Sequence, residues 1–186
     1  MINAEDHGNK LNDAELVSTC VTLFVAGHET TTNLIGNGLL ALLRHPDQMK
    51  KLKGDPSLIT TAVEEMLRYD TSVQRGWRLA SEDLEYDGQH IRQGDLVMPM
   101  IGAANRDPNQ FPDPDRFDVT RADNKHLGFG VGIHFCLGAP LARIEAPIAI
   151  NEMLRRLPDL RLATEKVERM PDIAMRGLKS LPVTFG

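Results

Sequence analysis

The sequence predicts a mainly α-helical chain with small β-sheets. Three observations carry that reading. An apolar stretch over 16–43 opens on a capping signal, helical segments are read at 58–69 and 139–157, and the period shortens between 73 and 98, where Gly88 and Gly94 mark turns.

The first helix opens at Leu11-Asn12-Asp13-Ala14-Glu15, where Asn12 can cap and Glu15 can reach back as a capping-box carboxylate. Apolar residues then continue nearly without relief until Arg44-His45-Pro46. A helix of about thirty residues spans roughly 45 Å. It is so apolar around its circumference that burial along most of its length is expected. Residues 47–53 read as a short helix ended by Gly54-Asp55-Pro56, and Ser57 is placed to cap the next one, 58–69, with apolar positions 59, 62, 63, 66 and 67. Short strands follow. Residues 105–121, rich in Pro, Asp and Phe, have no period of their own and must be ordered by neighbours. The last helix covers 139–157 with Pro147 inside it, and strands near 160–162 and 181–185 finish the chain.

The 186 residues suffice for one ordinary domain, and 41% hydrophobic with 25% charged residues is a soluble globular composition. A net charge of −5 argues against nucleic acid as the main partner. No apolar run reaches the roughly eighteen residues of a membrane span. The start, Met1-Ile2-Asn3-Ala4-Glu5-Asp6-His7, is polar and acidic, unlike a signal peptide or an anchor. Cys20 and Cys136 lie far apart, which is no disulfide framework and suits a cytoplasmic location. There is no C-x-x-C-H pattern of covalent haem attachment.

The richest chemistry sits at Phe129-Gly130-Val131-Gly132-Ile133-His134-Phe135-Cys136-Leu137-Gly138. Glycines 130, 132 and 138 allow positive φ and close approach of the backbone to something bulky and flat. A thiolate at a helix start is stabilised by the helix dipole and by backbone N–H groups, as an ionised sulfur ligand of iron requires. A lone cysteine in a tight turn is also compatible with a small buried hydrophobe. The second signal, Ala26-Gly27-His28-Glu29-Thr30-Thr31-Thr32, is poor material for a helix interior. Thr30 can turn its hydroxyl back to the Ala26 carbonyl, loosening the ladder and opening a groove, and an acid beside that hydroxyl can relay protons. Buried threonines also simply satisfy carbonyls. A zinc helix is excluded because position 32, four after His28, is threonine. Glu65 and Arg68 share a helix face and gain importance if buried, where the guanidinium can also hold carbonyls of 105–121. Arg75-Gly76-Trp77-Arg78 offers arginines shaped for a carboxylate, or merely an edge-strand charge.

In this order the pieces resemble the cytochrome P-450 family, in its soluble bacterial-type branch. Phe129, Gly130, Gly132, His134, Cys136 and Gly138 match its F-G-x-G-x-H-x-C-x-G haem signature, and residues 26–31 resemble its oxygen-activation motif. Glu65 and Arg68 match its E-x-x-R motif, while Asn105-Arg106-Asp107-Pro108 and residues 111–117 resemble the segment leading to the haem loop. The resemblance implies that Cys136 is the axial ligand of haem b iron, with Phe129 shielding the sulfur. It implies cofactor binding by Ala26, Arg78, Gly130, His134 and Gly138, with Arg78 and His134 on the haem propionates. Glu29 and Thr30 become the proton relay for dioxygen activation, and Glu65 and Arg68 structural. The implied substrate pocket includes Thr22, Val25, Val73, Gln74 and the turn near Met175.

The resemblance further implies a monooxygenase inserting one oxygen atom into a small apolar organic substrate, with electrons from NAD(P)H through a ferredoxin or flavodoxin partner. It covers only the C-terminal half of the family's length, so residues 1–186 are expected to be a single partial domain whose N-terminal half is absent, and Met1-Ile2-Asn3-Ala4 reads like an interior connection. A long helix left with one face bare exposes an apolar patch for that half to cover. The alternatives are a non-catalytic remnant and a peroxygenase, against which the Glu29–Thr30 pair argues.

Overall fold

The computed structural model describes the backbone of residues 5–6 and 9–186 and the side chains from Lys10 onward. The expected interior connection at residues 1–4 lies outside the described residues. A two-stranded ribbon, β1 (Glu5–Asp6) with β2 (Asn9–Lys10), precedes the long helix α1 (Asp13–Arg44). Its start is the predicted capping box: Asn12 Oδ1 accepts from Glu15 N at 3.0 Å, and Asn12 N donates to Glu15 Oε2 at 2.9 Å. α2 (Pro46–Gly54) follows, then a 3-10 turn at Pro56–Leu58 and α3 (Ile59–Tyr69). Here the sequence reading needs correction, because Asp55, not Ser57, supplies the cap. Its carboxylate accepts from both Ser57 N and Ser57 Oγ, so the aspartate begins the 3-10 turn and α3 continues from it.

The segment after α3 is built of short ribbons: β3 (Arg78–Leu79) pairs with β6 (Leu96–Val97), and β4 (Leu84–Tyr86) with β5 (Gln89–Ile91) around the Asp87-Gly88 turn. A single turn, α4 (Ile101–Ala104), leads into the irregular 105–121 stretch, and α5 (Ala139–Arg156) is the last helix, running through Pro147. β7 (Arg161–Leu162) and β8 (Val183–Thr184) pair antiparallel.

The core joins the C-terminal third of α1 (Leu34, Leu39, Ala41, Leu42) to α3 (Ala62, Val63, Met66, Leu67) and α5 (Ala146, Ile150, Leu154). Phe117 and Val119 of the irregular stretch close it, which is how a segment without a period acquires order. Most of α1 is therefore not buried, contrary to what its all-round apolar pattern suggests, and an apolar face is left bare. Val17, Val21, Phe24 and Val25 are exposed, Phe24 at 74%, because α2, α3 and α5 pack against the other end of the helix. No helix among the described residues is long and apolar enough to cross a membrane.

Candidate functional site

The Cys136 loop sits between the irregular stretch and α5, and its backbone closes on itself. Cys136 N donates to Phe129 O at 2.8 Å, Phe135 N to Gly132 O at 3.0 Å, and Gly130 N to Leu127 O at 2.9 Å. Gly130 (φ 70°) and Gly132 (φ 63°) occupy the left-handed region, where a side chain would be strained. Gly138 does something else: its φ is −83°, and it caps α5. A Cβ there would lie 3.9 Å from Cys136 Sγ, so the glycine keeps that flank of the sulfur bare. Cys136 is exposed, which removes the alternative of a small buried hydrophobe. His134 is exposed as well, and Phe129 is half-buried.

Among the described residues no group of three or more His, Cys, Asp or Glu side chains converges to hold a metal ion. The soft sulfur, the bare flank and the exposed apolar side chains of Ile133, Phe135 and Leu137 fit a flat, largely apolar macrocycle.

On α1, Thr30 Oγ1 donates to Ala26 O at 2.6 Å, as expected. The helix runs on through this segment, and the Ala26 carbonyl, with two lone pairs, accommodates the extra donor. Thr30 O accepts from Ser72 Oγ at 2.8 Å, which ties the motif to the chain just after α3. Glu29 is exposed beside it, as are Thr22, whose hydroxyl returns to Ser18 O, and Val25. Arg78 lies exposed on β3 with Nη1 on the Trp77 carbonyl at 2.8 Å.

The Val73, Gln74 and Met175 positions do come together. Val73 and Met175 form a bridge, Gln74 N donates to Ala174 O at 2.8 Å, and Arg176 N to Ser72 O at 2.7 Å. What fastens that turn is Asp70, which sequence reasoning passed over. Its carboxylate takes Arg169 Nη2 and Arg176 Nε at 2.6 Å each, while Asn37 Nδ2 donates to Arg176 O at 2.7 Å. Asp70→Ala is expected to cost about 1–3 kcal/mol. It should also speed hydrogen exchange at the Gln74 and Arg176 amides, and unchanged exchange there would refute the anchoring role.

Glu65 and Arg68 are fully buried and pair through two bonds, Nε–Oε2 at 2.7 Å and Nη2–Oε1 at 2.9 Å. The guanidinium also donates to the carbonyls of Asn105, Pro114 and Arg116, as the sequence suggested for a buried pair. Glu65 receives Asp118 N, Asn124 Nδ2 and Arg121 Nε in addition.

The neighbouring carboxylate, Glu64, was also missed. Desolvation pushes its pKa up, but hydrogen bonds from Arg143 and His126 outweigh that and hold it at about 2, down from 4.5. Hydrogen bonding to Glu64 raises the Arg143 pKa against desolvation, and the field of Cys136 adds in the same direction. A depressed folded pKa contributes stability that is complete above the ordinary value and drains away as pH falls through the folded one. Glu64→Gln is thus expected to lower the urea midpoint at pH 7, with the gap to wild type closing between pH 4.5 and about 2. A gap independent of pH would contradict the ion-pair account.

Comparison with known proteins gives the family. A sequence model described as Cytochrome P450 matches residues 1–55 and 57–183. The biotin biosynthesis cytochrome P450 of Bacillus subtilis (strain 168) is 54% identical over 177 residues, covering 95% of this chain and 45% of the relative. The vitamin D(3) 25-hydroxylase of Pseudonocardia autotrophica is 48% identical over 186 residues, covering 98% of this chain and 46% of its own length. Among solved structures, P450BioI in complex with an acyl carrier protein ligated to hexadec-9Z-enoic acid superposes with a TM-score of 0.93 at 54% identity, covering 95% of this chain and 46% of that one. The Bacillus subtilis 168 bacillaene polyketide synthase cytochrome P450 PksS gives 0.95 at 48% identity, covering 99% and 48%. The chain spans about half the length of the curated relatives it matches, 45% of the first. That the sequence match runs almost end to end, and that the fold superposes as closely, means that this chain belongs to the cytochrome P450 family.

Proposed function

We propose that this chain is the haem-thiolate portion of a monooxygenase, with Cys136 as the axial ligand of haem b. The observation that carries the proposal is the exposed Cys136 thiol on a glycine-shaped loop, in a chain of the cytochrome P450 family. When bound, haem supplies the redox chemistry of dioxygen activation, and thiolate ligation favours O–O cleavage. The chain's own residues do the rest. The Cys136 amide is spent on Phe129 O, which holds the loop in one shape with the sulfur outward. Arg78 and His134 are exposed cations or donors suited to propionates. Thr30 Oγ1 gives its proton to Ala26 O, leaving its lone pairs to accept one, and Glu29, exposed one residue away, exchanges protons with solvent.

The substrate is a small apolar organic molecule received between α1 near Thr22 and Val25 and the Val73–Met175 turn. This accords with relatives named for vitamin D(3) hydroxylation and biotin biosynthesis and with a neighbour in complex with an acyl carrier protein ligated to hexadec-9Z-enoic acid. Electrons come from NAD(P)H through a ferredoxin or flavodoxin partner, in the cytoplasm. The bare apolar side of α1 favours a second reading, that turnover requires an N-terminal half, as in the longer relatives, to cover Val17, Val21 and Phe24.

Haemin titration followed by dithionite and carbon monoxide tests the proposal. A thiolate-type Soret band is expected, and a band typical of a neutral or nitrogen ligand, or none at all, overturns it. Substrate oxidation only after the N-terminal half of a close relative is added would favour the second reading.

A further inference from the structure

Glu64 holds both ends of the Cys136 loop. At the start, the His126 side chain is 2% exposed; its Nδ1 accepts from Gly128 N at 3.0 Å, so the proton sits on Nε2 and is donated to Glu64 Oε2 at 3.0 Å. At the far end, Arg143 of α5 grips the same carboxylate through Nε at 2.7 Å and Nη2 at 2.8 Å. The Arg143 guanidinium also lies over the Phe129 ring, 4.7 Å from its centroid. Phe129 meets the His126 and Phe135 rings, and its carbonyl receives the Cys136 amide. The loop start is pressed onto α3: a Cβ on Gly128 would lie 3.1 Å from His126 Nδ1 and 3.2 Å from Leu67 O. From α3, then, one side chain reaches the sulfur's loop by two routes, while adjacent Glu65 is wholly engaged with Arg68 and the irregular stretch.

We propose that Glu64 is the positioning residue of the Cys136 loop, clamping it through His126 and Arg143 and balancing the charge that Arg143 brings to the loop. The clamp stands on the hydrogen bonds alone; its electrostatic part rests on the haem-thiolate reading. A guanidinium freed of its carboxylate favours the more negative, reduced form of a thiolate-bound iron, and a carboxylate left without the guanidinium favours the oxidised form.

The clamp is tested on the full chain without added haem, by hydrogen exchange in Glu64→Ala and Glu64→Gln. Glu64→Ala is expected to lose about tenfold or more protection at the Gly130 and Cys136 amides, with wild-type rates at α1 residues 39–42. Unchanged loop protection overturns the proposal, and so does equal loss in loop and α1, which would mean general unfolding. Glu64→Gln, which keeps the shape, should lose less. On the haem-loaded chain, Glu64→Gln should shift the midpoint potential upward, Arg143→Met downward, and the double variant should return close to wild type. Shifts of one sign, or none, overturn the charge balance. A wild-type chain without a thiolate-type Soret band would instead sink the haem reading, and the exchange result would still decide the clamp.

Discussion

Arg68→Ala is expected to cost about 3–5 kcal/mol, the usual loss when one partner of a buried ion pair is removed. Glu65 and Arg68 have side chains with 0% exposure, so solvent cannot replace the lost guanidinium, and the Glu65 carboxylate keeps only Arg121, at 3.2 Å, as a charged partner. The variant also strips the Arg68 donor from the carbonyls of Asn105 and Pro114, and leaves Arg116 O with only the longer 3.3 Å bond from Arg121. Against a total of about 5–15 kcal/mol for a typical folded domain, that leaves little margin. The urea midpoint should fall steeply, with near-ultraviolet dichroism lost before far-ultraviolet signal. The control is Arg155→Ala. The Arg155–Glu152 pair has a similar 2.7 Å contact, but its side chains are 65% and 43% exposed, and such a pair contributes at most about 1 kcal/mol. Comparable losses in the two variants would show that burial does not matter here.

Cys136→Ser is expected to abolish the thiolate-type Soret band while leaving the apo chain's unfolding midpoint within about 0.5 kcal/mol of wild type. The two halves of that expectation come from the same observation. An exposed side chain contributes little to packing, and a serine hydroxyl does not ionise as a thiol does. A variant that kept the band would move the ligand elsewhere, and Cys20→Ser would then be the next variant. A variant that unfolded would make Cys136 structural.

How much of this was legible in the sequence depends on range. The Asn12–Glu15 box, the Asp87-Gly88 turn region and the bounds of α1, α2, α3 and α5 follow from residues a few positions apart and were read correctly to within a residue or two, whereas the single turn α4 was not read. Local chemistry also misled: Ser57 and Asp55 are both good caps two residues apart, and only the 3-10 turn decides for the aspartate. The Glu65–Arg68 pair was visible because both residues lie on one helix, but its burial was left open by the sequence and is set by the structure. Glu64, Asp70 and Arg143 were not visible. Their partners lie 62 and 79 residues away for Glu64, and 99 and 106 for Asp70, and no spacing rule connects such positions. The burial of α1 was misjudged for a related reason. An all-round apolar pattern reports what a helix prefers to meet, not which neighbours the chain supplies.

That long helix is mechanically a cantilever. Its root, from Leu34 on, is built into the core, while its tip is held by its own hydrogen bonds and the Asn12–Glu15 cap. A free helical arm of about twenty residues is marginal in water, so its opening needs far less than global unfolding. Thr30 stands at the junction, one bond from the Ser72 hydroxyl that roots it. Stiffness therefore falls off along the rod toward Asp13, and whatever lies down on Phe24 and Val17 also sets how firmly the acid and hydroxyl at 29 and 30 are aimed.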